Sequence, residues 1–179
     1  MGPEPPPVAG AKWVGLSRGQ WALVDDVDYD AVSAHLWSFS RPLRRGPQFS
    51  GYAVRTPKQG HTQFLHRFIW ERMGVSEPGA DVDHVNGDGL DNRRSNLRVA
   101  SRSMNNANMR LRCDSQSGFK GVSRRRYAWV AQIKAQGSVK YIGSFRTARD
   151  AARAYDAAAL KFFGPFAKTN ASLGLLDEA

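Results

Sequence analysis

The stretch from Val82 to Asn108 constrains this chain more than any other, because it sets an Asp-His pair, a run of turn residues and a spaced series of asparagines into 27 positions, with arginines between them. Polar density of this kind belongs to a site, not to a core. Ala80-Asp81-Val82 reads as a short strand that carries Asp83-His84 to a turn. Neighbouring strand residues face opposite ways, so the two side chains can do separate work. Asp83 is a candidate metal ligand, and His84 has the side chain whose ordinary pKa best suits a general base near neutrality. Asn86-Gly87-Asp88-Gly89 then tolerates tight-turn geometry, which predicts an ordered loop before the chain resumes at Leu97-Arg98-Val99. Asn96 stands at the far end of that loop, where an amide can hydrogen-bond backbone on both sides. Ser101 or Ser103 can cap a short helix through about Met109, with Asn105 on its first turns.

These residues resemble the HNH nuclease family, in the branch found among homing endonucleases. The resemblance implies a strand, a loop, a second strand and a helix around one metal site, the ββα-metal fold. His84 matches the first motif histidine, Asn96 the central asparagine and Asn105 the last position. It further implies that Asp83 and Asn105 bind one divalent cation, that His84 activates a water, and that Asn96 braces the loop and orients the histidine. Many relatives carry histidine at the last position. With Asn105 there, both protein ligands are oxygens, which suit Mg²⁺ or Mn²⁺ better than zinc.

A net charge of +10 and a pI near 10.3 call for a polyanionic partner. The charge is unevenly spread: residues 93–126 hold ten Lys or Arg against one acid, whereas residues 1–92 hold nine against eleven. Phosphate contact explains such a run. Cys113 is the one cysteine, so no internal disulfide and no Cys-x-x-Cys zinc pair supports the fold. The N-terminus lacks a basic start with an apolar run, and no segment approaches the roughly 20 apolar residues of a membrane span. The expectation is therefore a cytoplasmic protein of a bacterial or phage-infected cell, without membrane contact.

Residues 1–12 are Pro-rich and read as a disordered tail. From 13 to 60 the pattern is short and β-like, with a helix expected at Tyr29 to Leu36 capped by Asp28 or Asp30. A small sheet packing on the site module is the leading reading there, and DNA contact by Arg41, Arg44 and Arg45 the other. Residues 61–110 form the site module. Within it Phe64 and Leu65 finish a strand, and His66 to Met73 form a helix that buries Phe68, Ile69 and Trp70 before Gly74. His66 can lie near the metal site, though burial against apolar neighbours is the commoner use; His35 and His61 have weaker claims.

After a basic linker at 111–117 a second pattern covers 118–170. Phe119 to Ser123, Ala128 to Lys134 and Lys140 to Phe145 alternate as strands, with turns at Arg124 to Tyr127 and Ala135 to Ser138. Thr147 then caps a helix with Asp150 at the capping-box position, and Gly164-Pro165 ends it. From Ser117 to Asn170, through F-K-G-V-S, Y-I-G-S-F, A-A-R-A-Y-D-A-A-A and G-P-F-A-K-T-N, the segment resembles the AP2 DNA-binding domain. That family lays the exposed face of its sheet in the major groove. Carried over by position, Lys120, Ser123, Arg125, Gln132, Lys134 and Tyr141 are candidate DNA contacts, and Arg124 and Arg126 candidate phosphate contacts. Trp129 reads as core, and residues 171–179 as a frayed tail.

Together these readings give an α+β chain: a small β-rich N-terminal segment, a ββα-metal module, then a three-stranded antiparallel sheet on one helix. The expected function is a homing-type endonuclease acting as a monomer on double-stranded DNA, with His84 and Asn96 as catalytic residues and Asp83 and Asn105 as ligands of Mg²⁺ or Mn²⁺. The competing class is a non-cleaving DNA-binding regulator on a degenerate nuclease scaffold.

Overall fold

Bulky and β-branched side chains at Trp13, Val14, Trp21, Leu23 and Val24 favour extended chain, and they form an antiparallel hairpin of β1 (Ala11–Gly15) and β2 (Trp21–Asp25). The structure is a computed structural model that describes residues 2–41, 51–57, 60–75, 81–111 and 114–176. Arg44, Arg45 and Cys113 lie outside those residues. The Pro-rich start is ordered against the hairpin rather than trailing. The Trp13 indole N–H donates to Pro6 O at 2.9 Å, and prolines have little backbone freedom to lose on being fixed there.

α1 (Asp26–Ser33) begins three residues before the expected Tyr29, with Asp26 and Asp28 in its first turn, where the positive end of the helix dipole favours carboxylates. Asp28 is no cap: it is fully buried within the helix. β3 (Ser38–Ser40), β4 (Tyr52–Arg55) and β5 (Gln63–Phe64) make an antiparallel sheet in that order. The chain then turns directly into α2 (Leu65–Arg72), one residue ahead of expectation. Eight residues are too few for an isolated helix. Burial of Leu65 and Ile69 to 0% exposure supplies roughly 2 kcal/mol each and holds α2 in place. Phe68 and Trp70 pack at the edge of the same cluster, which also takes Val14, Val24, Val32 and Trp37 from the N-terminal elements. The small sheet thus packs on the site module as expected. β6 (Asp81–His84) and β7 (Leu97–Ala100) pair as a two-stranded sheet.

The chain divides into two compact units, residues 1–99 and 100–179. In the second, α3 (Arg102–Asn108) starts at Ser101, whose hydroxyl accepts from Met104 N at 3.3 Å. β8 (Val122–Arg125), β9 (Ala128–Ala135) and β10 (Ser138–Phe145) form the antiparallel sheet, with β9 central. α4 (Ala148–Phe163) covers one face through Ala151, Ala152, Tyr155, Ala159 and Phe163. Its start is the expected capping box: Asp150 N donates to Thr147 Oγ1 at 3.1 Å and Thr147 Oγ1 to Asp150 Oδ2 at 2.7 Å. Gly121, at φ +70, lets β8 approach so closely that an added Cβ would enter the Tyr155 ring. The C-terminal stretch does not fray at 171, since a 3-10 turn spans Ala171–Leu173 and Leu176 packs on the cluster. No helix among the described residues is long and apolar enough to cross a membrane.

One buried charge ties the first unit together. Asp28 Oδ2 accepts from Arg94 Nε at 2.7 Å, and Asp28 Oδ1 from Arg94 Nη2 at 2.8 Å and Arg72 Nε at 3.2 Å. Arg94 N also donates to Asp25 Oδ2 at 2.7 Å. Hydrogen bonding by Arg94 is the largest influence on the Asp28 carboxyl and, with Arg72, holds it below its ordinary 3.8 against the opposing pull of burial. Both guanidiniums reach solvent while the carboxylate does not. Arg94→Met should therefore destabilise the unit by roughly 3 kcal/mol, and Asp28→Asn by less, as read by denaturant melts. A depressed folded pKa gives stability that is complete above 3.8 and is lost as pH falls through the lower folded value. Asp28→Asn should flatten the acid limb of the stability curve below that point.

Candidate active site and DNA-binding sheet

Between β6 and β7 the chain forms no strand, so its backbone polar groups are met by turn bonds, by a single bridge to Leu23 of β2 and by side chains. Among those side chains is Asn96, buried in the 3-10 turn Arg94–Asn96. Its Oδ1 accepts from Asn86 N at 3.0 Å, and its Nδ2 donates to Asp91 O at 2.7 Å and Asn86 Oδ1 at 3.1 Å. Asn86 Nδ2 reaches Asp91 Oδ2 at 3.0 Å, and Asn86 Oδ1 accepts from Asp88 N at 2.8 Å. Gly89 is needed where the loop meets the start of β4, because a Cβ there would collide with Gly51 O and lie 2.7 Å from the Tyr52 ring. The loop is also held from the hairpin. Leu23 N donates to Leu90 O, and Asn92 N to Leu23 O, both at 2.8 Å.

His84 ends β6 at 5% exposure. Its ring lies 5.0 Å from that of His66, edge to face, and 6.0 Å from that of Tyr52. Burial lowers the His84 pKa; the Asn92 hydrogen bond and the Asp83, Asp88 and Asp91 charges oppose this without reversing it. His66 is pushed down to about 3 by burial, then by His84 and Arg67. It belongs to α2 and serves as a neutral wall beside His84, the structural use weighed above. The hydrogen bond on the imidazole comes from Asn92, whose Oδ1 lies 3.3 Å from His84 Nε2. Orientation had been expected of Asn96, whose amide is taken up by the loop itself. Asn92 was passed over in the sequence because it sits among turn residues, and only its place two residues after Leu90 marked it as able to turn inward.

Asp83, on the opposite side of β6, is 7% exposed and accepts through Oδ2 from Arg98 Nη2 at 3.1 Å and Nε at 3.3 Å. Asp83, His84 and Asn96 belong to the first unit; Asn105 belongs to the second, half-buried on α3. Among the described residues no three His, Cys, Asp or Glu side chains group to hold a metal. A carboxylate and an amide oxygen fall outside such a group and still fit a hard divalent cation. The basic run is less free than its composition implied. Arg93 pairs with Asp91, Arg94 with Asp28 and Arg98 with Asp83, so part of its charge is matched by acids distant in sequence or just before it.

In the second unit, register sorts the expected DNA contacts. Val122, Ala131, Ile133 and Ala135 face α4. Alternation puts Ser123, Arg125, Gln132 and Lys134 on the other face, and Tyr141 joins them opposite Gln132. Arg125, Lys134 and Tyr141 are exposed, Tyr141 at 66%, while Ser123 and Gln132 are half-buried. Val139, opposite Lys134, shares this face and was missed, although its place two residues before Tyr141 signals it. Arg126 is exposed in the β8–β9 turn. Arg124 pairs instead with Trp129 on the α4 side, its guanidinium 5.3 Å from the indole. Trp129 packs against the core as expected. Lys120 is no groove contact: its Nζ donates to Lys168 O at 2.6 Å and Ala107 O at 2.9 Å. Asn170 completes that clamp, accepting from Lys120 N at 2.6 Å and donating to Asp156 Oδ1 at 2.8 Å.

An amide-locked loop carrying a buried Asp-His pair, on a chain whose second unit presents a basic sheet face, places the protein among DNA-binding nucleases. Comparison with known proteins narrows the class. A family described as HNH endonuclease matches residues 63–107. An uncharacterized HNH endonuclease of Acanthamoeba polyphaga mimivirus is 30% identical over 159 residues, which are 88% of this chain and 78% of that one. The chain belongs to the HNH endonuclease family. Its C-terminal part is AP2-type: the dehydration-responsive element-binding protein 2A of Arabidopsis thaliana is 43% identical over 60 residues, 32% of this chain and 18% of that protein. Protein 3.8 of Escherichia phage T7 is 33% identical over 75 residues, covering 40% of this chain and 62% of its own. No solved structure matches the chain.

Burial, with the nearby Lys168 charge, brings Lys120 down to about 8 from 10.5. Observed through its side-chain nitrogen by NMR, Lys120 should titrate near that value. Because the folded state gives up this proton before the unfolded one, stability should rise with pH between the two values.

Proposed function

We propose that this protein is a site-directed DNA endonuclease of the homing type, cutting phosphodiester bonds at the β6–β7 loop and reading duplex DNA with the β8–β10 sheet. The buried His84 imidazole carries the reading: it is kept neutral, walled by Tyr52 and His66, and adjoins a carboxylate on the other side of the strand. A neutral imidazole accepts the proton of a water as its oxygen bonds to phosphorus and the P–O3′ bond breaks; the departing oxygen takes its proton from solvent. HNH nucleases generally use a divalent metal. Asp83 and Asn105 would hold it, with oxygen donors that favour Mg²⁺ or Mn²⁺. When bound, the cation supplies polarisation of the phosphate and stabilises negative charge on the leaving oxygen. Asn96 keeps the loop closed around the histidine through its bonds to Asn86 and Asp91.

Recognition falls to the other unit. A two- or three-stranded sheet fits the major groove, where every base pair is distinguishable. Ser123, Gln132 and Tyr141 are assigned to base edges, and Arg125, Arg126 and Lys134 to phosphate or guanine. The chain acts as a monomer in this proposal. The viral relatives support a site of action inside an infected cell.

The test is to incubate the purified protein with phage and host DNA and Mg²⁺ or Mn²⁺, then map the breaks. His84→Ala should lower cleavage by roughly 100-fold or more and leave DNA binding intact in gel shifts; loss of both would make His84 structural. Binding without breaks by the unaltered protein would favour the regulator. Replacing Arg125 and Lys134 together by Ala should weaken binding about tenfold and lower the salt dependence by about two counterions, with residual nicking retained. An unchanged salt slope would remove this face from the interface.

A further inference from the structure

We propose that Asn92 is a positioning residue that decides which nitrogen of His84 carries the proton. Asn92 is completely buried, and its backbone is bonded to β2 through Leu23 O at 2.8 Å. Its Nδ2 donates to Leu90 O at 3.0 Å and faces Gly89 O at 3.5 Å. Turning the amide over would set Oδ1 against both of these carbonyl oxygens and leave them without the donor, so the orientation is set by the loop backbone. Oδ1 is thereby directed at His84 Nε2, 3.3 Å away. An amide oxygen only accepts, so the neutral ring must hold its proton on Nε2 and keep its lone pair on Nδ1. The other tautomer would set two lone pairs against each other and would place an N–H, which takes no proton, on Nδ1.

This deepens the proposed hydrolytic role of His84 and rests on it. It also gives the hairpin a part in the chemistry, since Leu23 holds the residue that holds the base. Asn96, the asparagine singled out in the motif, braces the loop, and Asn92 sets the ring.

The test uses the full chain labelled with ¹⁵N-histidine, without metal or DNA, and the His84 signals are identified by their loss in His84→Ala. The unaltered protein should show a protonated Nε2 and an unprotonated Nδ1. Asn92→Leu, close in shape but unable to accept, should give a mixture of tautomers and lower kcat by on the order of 100-fold, with KM for DNA unchanged. A proton on Nδ1 in the unaltered protein overturns the proposal with no variant needed, so a poorly folding Asn92→Leu does not shelter it. A folded Asn92→Leu that keeps one Nε2–H form and full kcat overturns it as well. Undiminished cleavage by His84→Ala would instead overturn the reading of His84 as base, and is told apart from these by the tautomer measurement.

Discussion

The structure around β6 depends on a requirement of backbone chemistry: a loop that is buried at both ends must find partners for its amides without forming a ladder. Asn86, Asn92 and Asn96 help to meet that requirement, each by bonding to a position two to five residues away within the loop. Side-chain amides suit this because each offers two donors and an acceptor with no charge to desolvate. The geometry of His84 follows from their placement. An imidazole on a loose loop would sample many directions; here the ring is fixed by Asn92 on its edge and by His66 and Tyr52 beside it.

Local chemistry was legible in the chain itself. Turn residues marked the loop, Asp-His marked the end of the strand, and Thr147 with Asp150 marked the start of the last helix. Alternation in β9 sorted the sheet faces correctly, down to Trp129 on the core side. Long-range pairing was not legible. Asp28 read as a helix cap because carboxylates favour that place, whereas its partner Arg94 lies far along the sequence. Lys120 read as a DNA contact because lysines are usually solvated, and the carbonyls of Ala107 and Lys168 that hold it come together only in the fold. Arg94 and Arg98 looked unopposed for the same reason, since Asp28 and Asp83 meet them only in the fold.

The two units use buried polar groups differently. In the first, Arg94 and Asp28 bind the loop to α1, and Leu23 binds it to the hairpin, so the N-terminal elements act as a frame for the site. In the second, Asp156, Asn170 and Lys120 join the helix, the closing segment and the entry to β8, with their charges and amides satisfied by one another or by backbone. That clamp lies apart from the opposite face of the sheet, where Arg125, Lys134 and Tyr141 are exposed.

The clamp also says where this gene can be cut and rejoined. Lys120 and Lys168 both grip the carbonyl of Ala107, the end of α3, and Ala107 fills the core beside Val122 and Tyr155. The family match runs to residue 107, whereas the folding boundary lies at 99. A recombination break after the motif would leave the inherited sheet with an empty socket, and successful exchange between nucleases of this architecture should fall ahead of α3.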